Sequence, residues 1–150
     1  MSDITKAGTS QDDWITLDVM LGLGKHLLPV APVGSPTTPN SKLKSENLGK
    51  IPSALTADGR AYGIANWTKM ETTPEQLDAW SRDPRLSVGI RCGEIVAIDS
   101  DIEDPTTAAI VRGIVEKHCA ALGVIPAIRT RSNSNKSLYA FRVVDGGEHA

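Results

Sequence analysis

A chain of 150 residues with 40% hydrophobic and 23% charged content has the length of one ordinary domain. Such a domain buries roughly two thirds of its unfolded surface without disulfide or metal staples. A net charge of −2 excludes both a disordered polyelectrolyte and a general polyanion-binding surface, so any nucleic-acid contact has to be a local patch.

The first thirteen residues read as a polar leader, and the domain is expected over 14–150. From Trp14 to Leu28 apolar residues recur at roughly helical spacing (Trp14, Leu17, Leu21, Leu28), weakened by Gly22 and Gly24, which predicts a helix. Residues 27–33, LLPVAPV, predict a short extended segment, because each proline pushes its predecessor out of helical geometry. A long loop rich in Gly, Pro, Ser and Asn follows, and loops of that length in a compact domain tend to be functional or mobile.

Thr73-Pro-Glu-Gln76 supplies an N-cap, a proline in the first turn and a glutamine at the capping-box position, so a short helix is expected there, ending near Arg82. SVGIRC and IVAIDSD, separated by Gly93-Glu94, predict two strands of a tight hairpin. Asp104-Pro105 then caps a helix running through Ala108, Ile110, Val111, Ile114, Val115, His118 and Leu122 to Gly123. A second strand pair, PAIRTRS and KSLYAFRV, is joined by the polar turn SNSN. The succession strand, strand, helix, strand, strand predicts an α+β fold, an antiparallel sheet of two hairpins covered by helices.

Two cysteines, Cys92 and Cys119, are too few for a secreted disulfide framework and have no metal-ligand spacing, which points to a reducing cytoplasmic setting. No stretch has the length of a membrane span or the form of a signal peptide. The three tryptophans read as packing anchors, Tyr139 and Phe141 as one core face, and Cys92 as a small hydrophobe inside a strand. The final VVDGGEHA follows a strand with no closing element, so these residues are expected to be a fragment or a truncated copy.

The chemistry concentrates in EIVAIDSD, where period-2 geometry puts Asp99 and Asp101 on one face of a strand with Ser100 on the other. Paired carboxylates repel unless a cation or shared proton offsets them, and Mg2+ or Mn2+ is the usual partner. A solvated strand end is the plain alternative. From Gly93 to Asp104 every charged residue is acidic, whereas from Arg129 to Arg142 every one is basic. Acids facing bases suit a metal-bound polyphosphate, with Arg and Lys taking the remaining negative charge; a cross-strand salt-bridge network is the other reading. Lys50, in Asn47-Leu-Gly-Lys-Ile-Pro52, is either a surface residue or a point charge for a phosphate.

From about Leu21 to about Val143 the succession resembles the N-terminal domain of bifunctional DNA primase/polymerases, in the primase-polymerase branch of the archaeo-eukaryotic primase superfamily of phages, plasmids and prophages. The resemblance is carried by GLGKHLLPVAPV, by the Lys-x-Pro segment Lys50-Ile-Pro52, by NWTKMETTPEQLDAW, and by SVGIRCG leading directly into AIDSD. It implies an RRM-like core and metal-dependent nucleotidyl transfer from nucleoside triphosphates. Asp99 and Asp101 match the first catalytic motif as ligands for Mg2+ or Mn2+. Lys50, Arg129, Ser132, Lys136 and Arg142 become the candidate phosphate-binding residues. Implied partners are template and primer DNA, nucleotides and a helicase region of a full-length protein, with no membrane.

Two departures from the family pattern stand out. No histidine lies between Arg129 and Arg142, where many members carry Ser/Gly-x-His. No convincing third acid precedes Ala150; Asp145 and Glu148 lie too close to the preceding strand. The rival readings are a non-catalytic nucleotide- or DNA-binding remnant of the fold, and a nucleotide-sugar transferase using DxD. The latter lacks the Gly-rich nucleotide half expected upstream.

Overall fold

A computed structural model describes residues 8–142. They form an α+β protein with three small antiparallel sheets, and the chain divides into two compact units, Met1–Arg91 and Cys92–Ala150.

In the first unit, helix α1 (Gln11–Ile15) is capped by Ser10, whose side chain accepts from the Asp13 N–H. It passes into a π-helical turn, Thr16–Met20, and a 3-10 turn, Gly24–His26. The continuous helix expected to Leu28 is therefore not formed. Gly22 adopts φ +63°, a conformation that ends a helix, and strand β1 has begun by Leu27. Trp14, on α1, is 1% exposed and anchors the core with Leu23, Leu27, Leu28, Leu77 and Leu86.

Strand β1 (Leu27–Val30) pairs with β4 (Ser87–Ile90), Leu28 opposite Gly89 and Pro29 opposite Val88. This overturns the expected hairpin between SVGIRC and IVAIDSD. Two β-branched runs flanking Gly-Glu carry a local turn signal, but the partner of SVGI is the proline-bearing segment some sixty residues earlier. That pairing is a tertiary choice, drawn by the apolar Leu27 and Leu28, which a local pattern does not contain. Cys92 accordingly lies outside any strand and is exposed, rather than packed as a small hydrophobe, whereas Cys119 is buried.

The segment read as one long loop contains a 3-10 turn, Ser45–Asn47, and a hairpin of β2 (Ser53–Leu55) and β3 (Ala61–Gly63). Gly59, at φ +84°, permits its turn. Ala31, Leu48 and Ala61 form a small core beneath, with Leu43 and Leu55 packed on it. Ser53 is fully buried because its hydroxyl is fully used: Oγ accepts from Ala31 N–H at 3.0 Å and donates to the Ile51 carbonyl at 2.9 Å. Helix α2 (Pro74–Ser81) has the expected capping box, Thr73 Oγ1 accepting from Gln76 N–H and Gln76 Oε1 from Thr73 N–H.

In the second unit, β5 (Ile95–Ser100) leads through α3 (Pro105–Ala121) to the β6 (Ala127–Arg131) and β7 (Ser134–Arg142) hairpin. The sheet order is β5-β7-β6, so β7 is central and both neighbours run antiparallel to it. The helix thus connects two mutually parallel strands with a third between them, a split β-α-β unit. On α3 the half-buried Ala108, Val111 and Val115 and the buried Cys119 follow helical spacing. Ile110 and Ile114, off that stripe, are 59% and 52% exposed. Tyr139, on central β7, is 1% exposed, which makes its side of the sheet the covered one, and α3 is the element packed on β7. Phe141, expected to share this face with Tyr139, is half-buried.

Candidate functional site: an acidic strand end beside a basic hairpin

Residues directly opposite across antiparallel strands share a face. Asp99 is opposite Leu138, and Leu138 is opposite Arg129 on the far side of β7. Tyr139 and the half-buried Ile128 mark the covered face, with Ile98 in the same row but 49% exposed. Asp99, Leu138 and Arg129 therefore occupy the other one, where Asp99 and Arg129 are exposed. With strands about 4.8 Å apart, carboxylate and guanidinium stems start roughly 10 Å from each other.

β5 ends at Ser100, opposite Ser137, and the next row brings Asp101 against Lys136. Lys136 Nζ is 2.6 Å from Asp101 Oδ1 and 3.8 Å from Glu103 Oε1. The hydrogen bond to Asp101, and then its charge, raise the Lys136 pKa above the ordinary lysine value, against smaller opposing effects of desolvation and then Arg131. Asp99 and Asp101 stand about 6–7 Å apart along the backbone, the two-residue repeat of a strand. Asp101 lies one residue past the end of β5.

Glu103, which the sequence reading counted only as part of the acidic run, takes a structural part in this site. Ser134 Oγ donates to it at 3.0 and 3.2 Å, Asn135 N–H donates to its Oε2 at 3.4 Å, and Asn135 Nδ2 donates to its backbone carbonyl at 2.8 Å. Ser134 Oγ in turn accepts from Lys136 N–H at 3.2 Å. The signal available in sequence was the continuing alternation of acids at 99, 101 and 103. The next residue does different work. Asp104 caps α3, accepting from Thr107 N–H at 2.7 Å and Oγ1 at 2.6 Å, and these bonds hold its carboxyl below the usual range.

Of the candidate residues, the second unit brings Asp99, Asp101, Arg129 and Lys136 to one face of one sheet. Ser132 sits exposed in the β6–β7 turn, while the contacts to the acidic side come from Ser134 and Asn135. Arg142 is opposite Ile95 at the far end of β7, four residues or about 13 Å along the strand from the Asp99 row. Lys50 belongs to the first unit, exposed after the Ser45–Asn47 turn, its N–H donating to the Asn47 carbonyl at 3.1 Å. Asp145 and Glu148 lie outside the described residues.

Two exposed carboxylates are hard oxygen donors of the kind that bind Mg2+ or Mn2+ together with substrate phosphates. Among the described residues no group of three or more His, Cys, Asp or Glu side chains gathers to hold an ion. The donor set therefore suits an ion completed by substrate oxygens rather than an all-protein cage. Among the same residues no helix is long and apolar enough to cross a membrane.

Comparison with known proteins gives the family. A family model described as bifunctional DNA primase/polymerase, N-terminal, matches residues 19–149. No curated protein and no solved structure matches the chain. The acids of the β5 end and the bases of the β6–β7 hairpin fall inside the matched span, which covers most of the sequence, and the chain belongs to the family of bifunctional DNA primase/polymerase N-terminal domains.

Proposed function

We propose that the open face of the β5-β7-β6 sheet is the nucleotide-transfer site of this primase/polymerase domain. Asp99 and Asp101 would hold Mg2+ or Mn2+, and Arg129, Lys136 and Ser132 would bind the triphosphate of an incoming nucleotide. The carrying observation is that acids and bases occupy one face, with Lys136 Nζ already 2.6 Å from Asp101. The bound metal supplies Lewis-acid stabilisation of phosphoryl oxygens and lowers the pKa of the attacking hydroxyl. The protein's own share is placement: Asp99 on β5 and Asp101 just past its end would offer carboxylate oxygens, and the cations would neutralise charge that grows on the phosphates. Arg142, far along β7, is better suited to the nucleic-acid backbone or to a structural role than to the same triphosphate. Lys50 is a weaker phosphate candidate, argued from the Lys-x-Pro motif alone.

Template and primer DNA are the expected partners, with a helicase region on a full-length protein, in phage, plasmid or prophage replication in the cytoplasm. Primer extension with Mg2+ or Mn2+ tests the reading. Asp99→Ala with Asp101→Ala lowers extension by about 100-fold or more, since the metal's contribution is worth several kcal/mol. Equal extension by both proteins would remove these acids from the mechanism. A second reading, a nucleotide- or DNA-binding domain without catalysis, is favoured because Glu103, the third acid beside the pair, is engaged by Ser134 and Asn135, and no three-acid group gathers for an ion among the described residues. Metal-dependent nucleotide binding with no extension by the full-length protein would select it.

A further inference from the structure

The acid pair already has a cation of its own. Lys136 is anchored from two directions: its ammonium lies on Asp101 and near Glu103, and its backbone N–H donates to the Ser134 hydroxyl that Glu103 holds. Ser134 and Asn135 together tie three atoms of Glu103 to the start of β7. We propose, resting on the site reading above, that Lys136 is the resident counter-ion of the acid pair and competes with the divalent ion for Asp101. Glu103 is the positioning residue that keeps it there.

The physical basis is charge balance on a small patch. Asp99, Asp101 and Glu103 place three carboxylates within one strand end and its following turn, and Lys136 is the cation in contact with two of them. A divalent ion entering at Asp101 meets the ammonium at about ion-pair distance, where the two positive charges repel and each weakens the other's hold on the carboxylate. Lys136 has four methylenes of reach and three freely rotating donors. Displaced, it can turn to the phosphate oxygens arriving with the metal. One lysine would thus neutralise the acids when the site is empty and the triphosphate when it is loaded.

The competition predicts opposite signs for two ligands. With Mn2+ alone, measured by the free-ion EPR signal at low ionic strength, Lys136→Met binds about fivefold tighter than wild type, the scale of one exposed charge acting on a nearby ion. Lys136→Arg keeps the charge and stays within about twofold of wild type. At saturating Mn2+ a fluorescent nucleoside triphosphate binds Lys136→Met about tenfold more weakly, because a charge-assisted phosphate contact is gone. Glu103→Gln, which frees the turn, moves Lys136→Met no further in nucleotide binding, whereas it weakens the wild type.

Loss of both affinities in Lys136→Met and in Lys136→Arg would mean a merely structural lysine and overturn the proposal. Unchanged or weaker Mn2+ binding in Lys136→Met, with binding still abolished by Asp99→Ala plus Asp101→Ala, would overturn it while leaving the metal site standing. Mn2+ binding that survives the double aspartate substitution would overturn both.

Discussion

Asp83, half-buried, and Asp101, exposed, show how differently two ion pairs serve one chain. Asp83 Oδ1 accepts from Arg85 N–H at 3.0 Å and Nε at 2.9 Å, and Oδ2 from Nη2 at 2.8 Å. This closes a fork in the turn before β4. The Arg85 hydrogen bonds, against a smaller cost of burial, hold the Asp83 carboxyl below its ordinary value of 3.8. A depressed folded-state pKa means that the ionised form stabilises the fold fully above 3.8, and that this contribution disappears as pH falls through the lowered value. Urea melts of Asp83→Asn should therefore show lower stability than wild type at neutral pH, with the gap closing in acid. A constant gap across that range would mean the carboxylate's charge plays no part. The Lys136–Asp101 pair is single-pronged and 42% and 77% exposed, so solvent screens it. That makes it easy to exchange rather than strong.

Among the elements, α3 shows both what pattern reveals and what it leaves out. Asp104-Pro105 set its start, as the sequence predicts, because a cap and an N1 proline act within four residues. Gly113 sits in its middle, exposed, with nothing within 4 Å of where a Cβ would project. Replacement by alanine should raise stability by about 0.5–1 kcal/mol through backbone entropy. A thermal melt shifted downward would refute that account. Capping box, α3 and the β6–β7 hairpin were legible because their determinants are neighbours in sequence. The partner of SVGI was not, since β1 reaches it across the whole first unit. The β2–β3 hairpin was hidden too: three-residue strands are too short for an alternation to register. Lys136 was legible as a base in the right strand. Glu103 was not, because its role depends on the β6–β7 turn folding back to the end of β5.

Taken whole, a chain with net charge −2 and pI near 5.9 has no long-range attraction to nucleic acid, and the site proposed above puts its nucleic-acid contacts on the basic hairpin. Arg129, Arg131, Lys136 and Arg142 limit the counterions released. Single-strand binding should lose affinity with salt at a log–log slope no steeper than about 3, from roughly 0.7 per phosphate contact. A slope well beyond that, measured by anisotropy, would require a basic surface outside this hairpin. The family was readable because its motifs, from GLGKHLLPVAPV through Lys50-Ile-Pro52 and NWTKMETTPEQLDAW to SVGIRCG and AIDSD, follow in order along the chain, and the acidic and basic segments were each visible because each sits within a single strand end or hairpin. Their juxtaposition needed the central position of β7.

The exposed Cys92, a free thiol like the buried Cys119, the chain's one other cysteine, has a practical consequence. A maleimide dye reacts there first, while the thiol inside α3 is shielded by the sheet it packs on. The label lands seven residues ahead of Asp99, at the start of the same unit and outside every residue assigned to chemistry. Metal and nucleotide arrival can then be followed optically in a protein whose candidate site is left wholly unaltered.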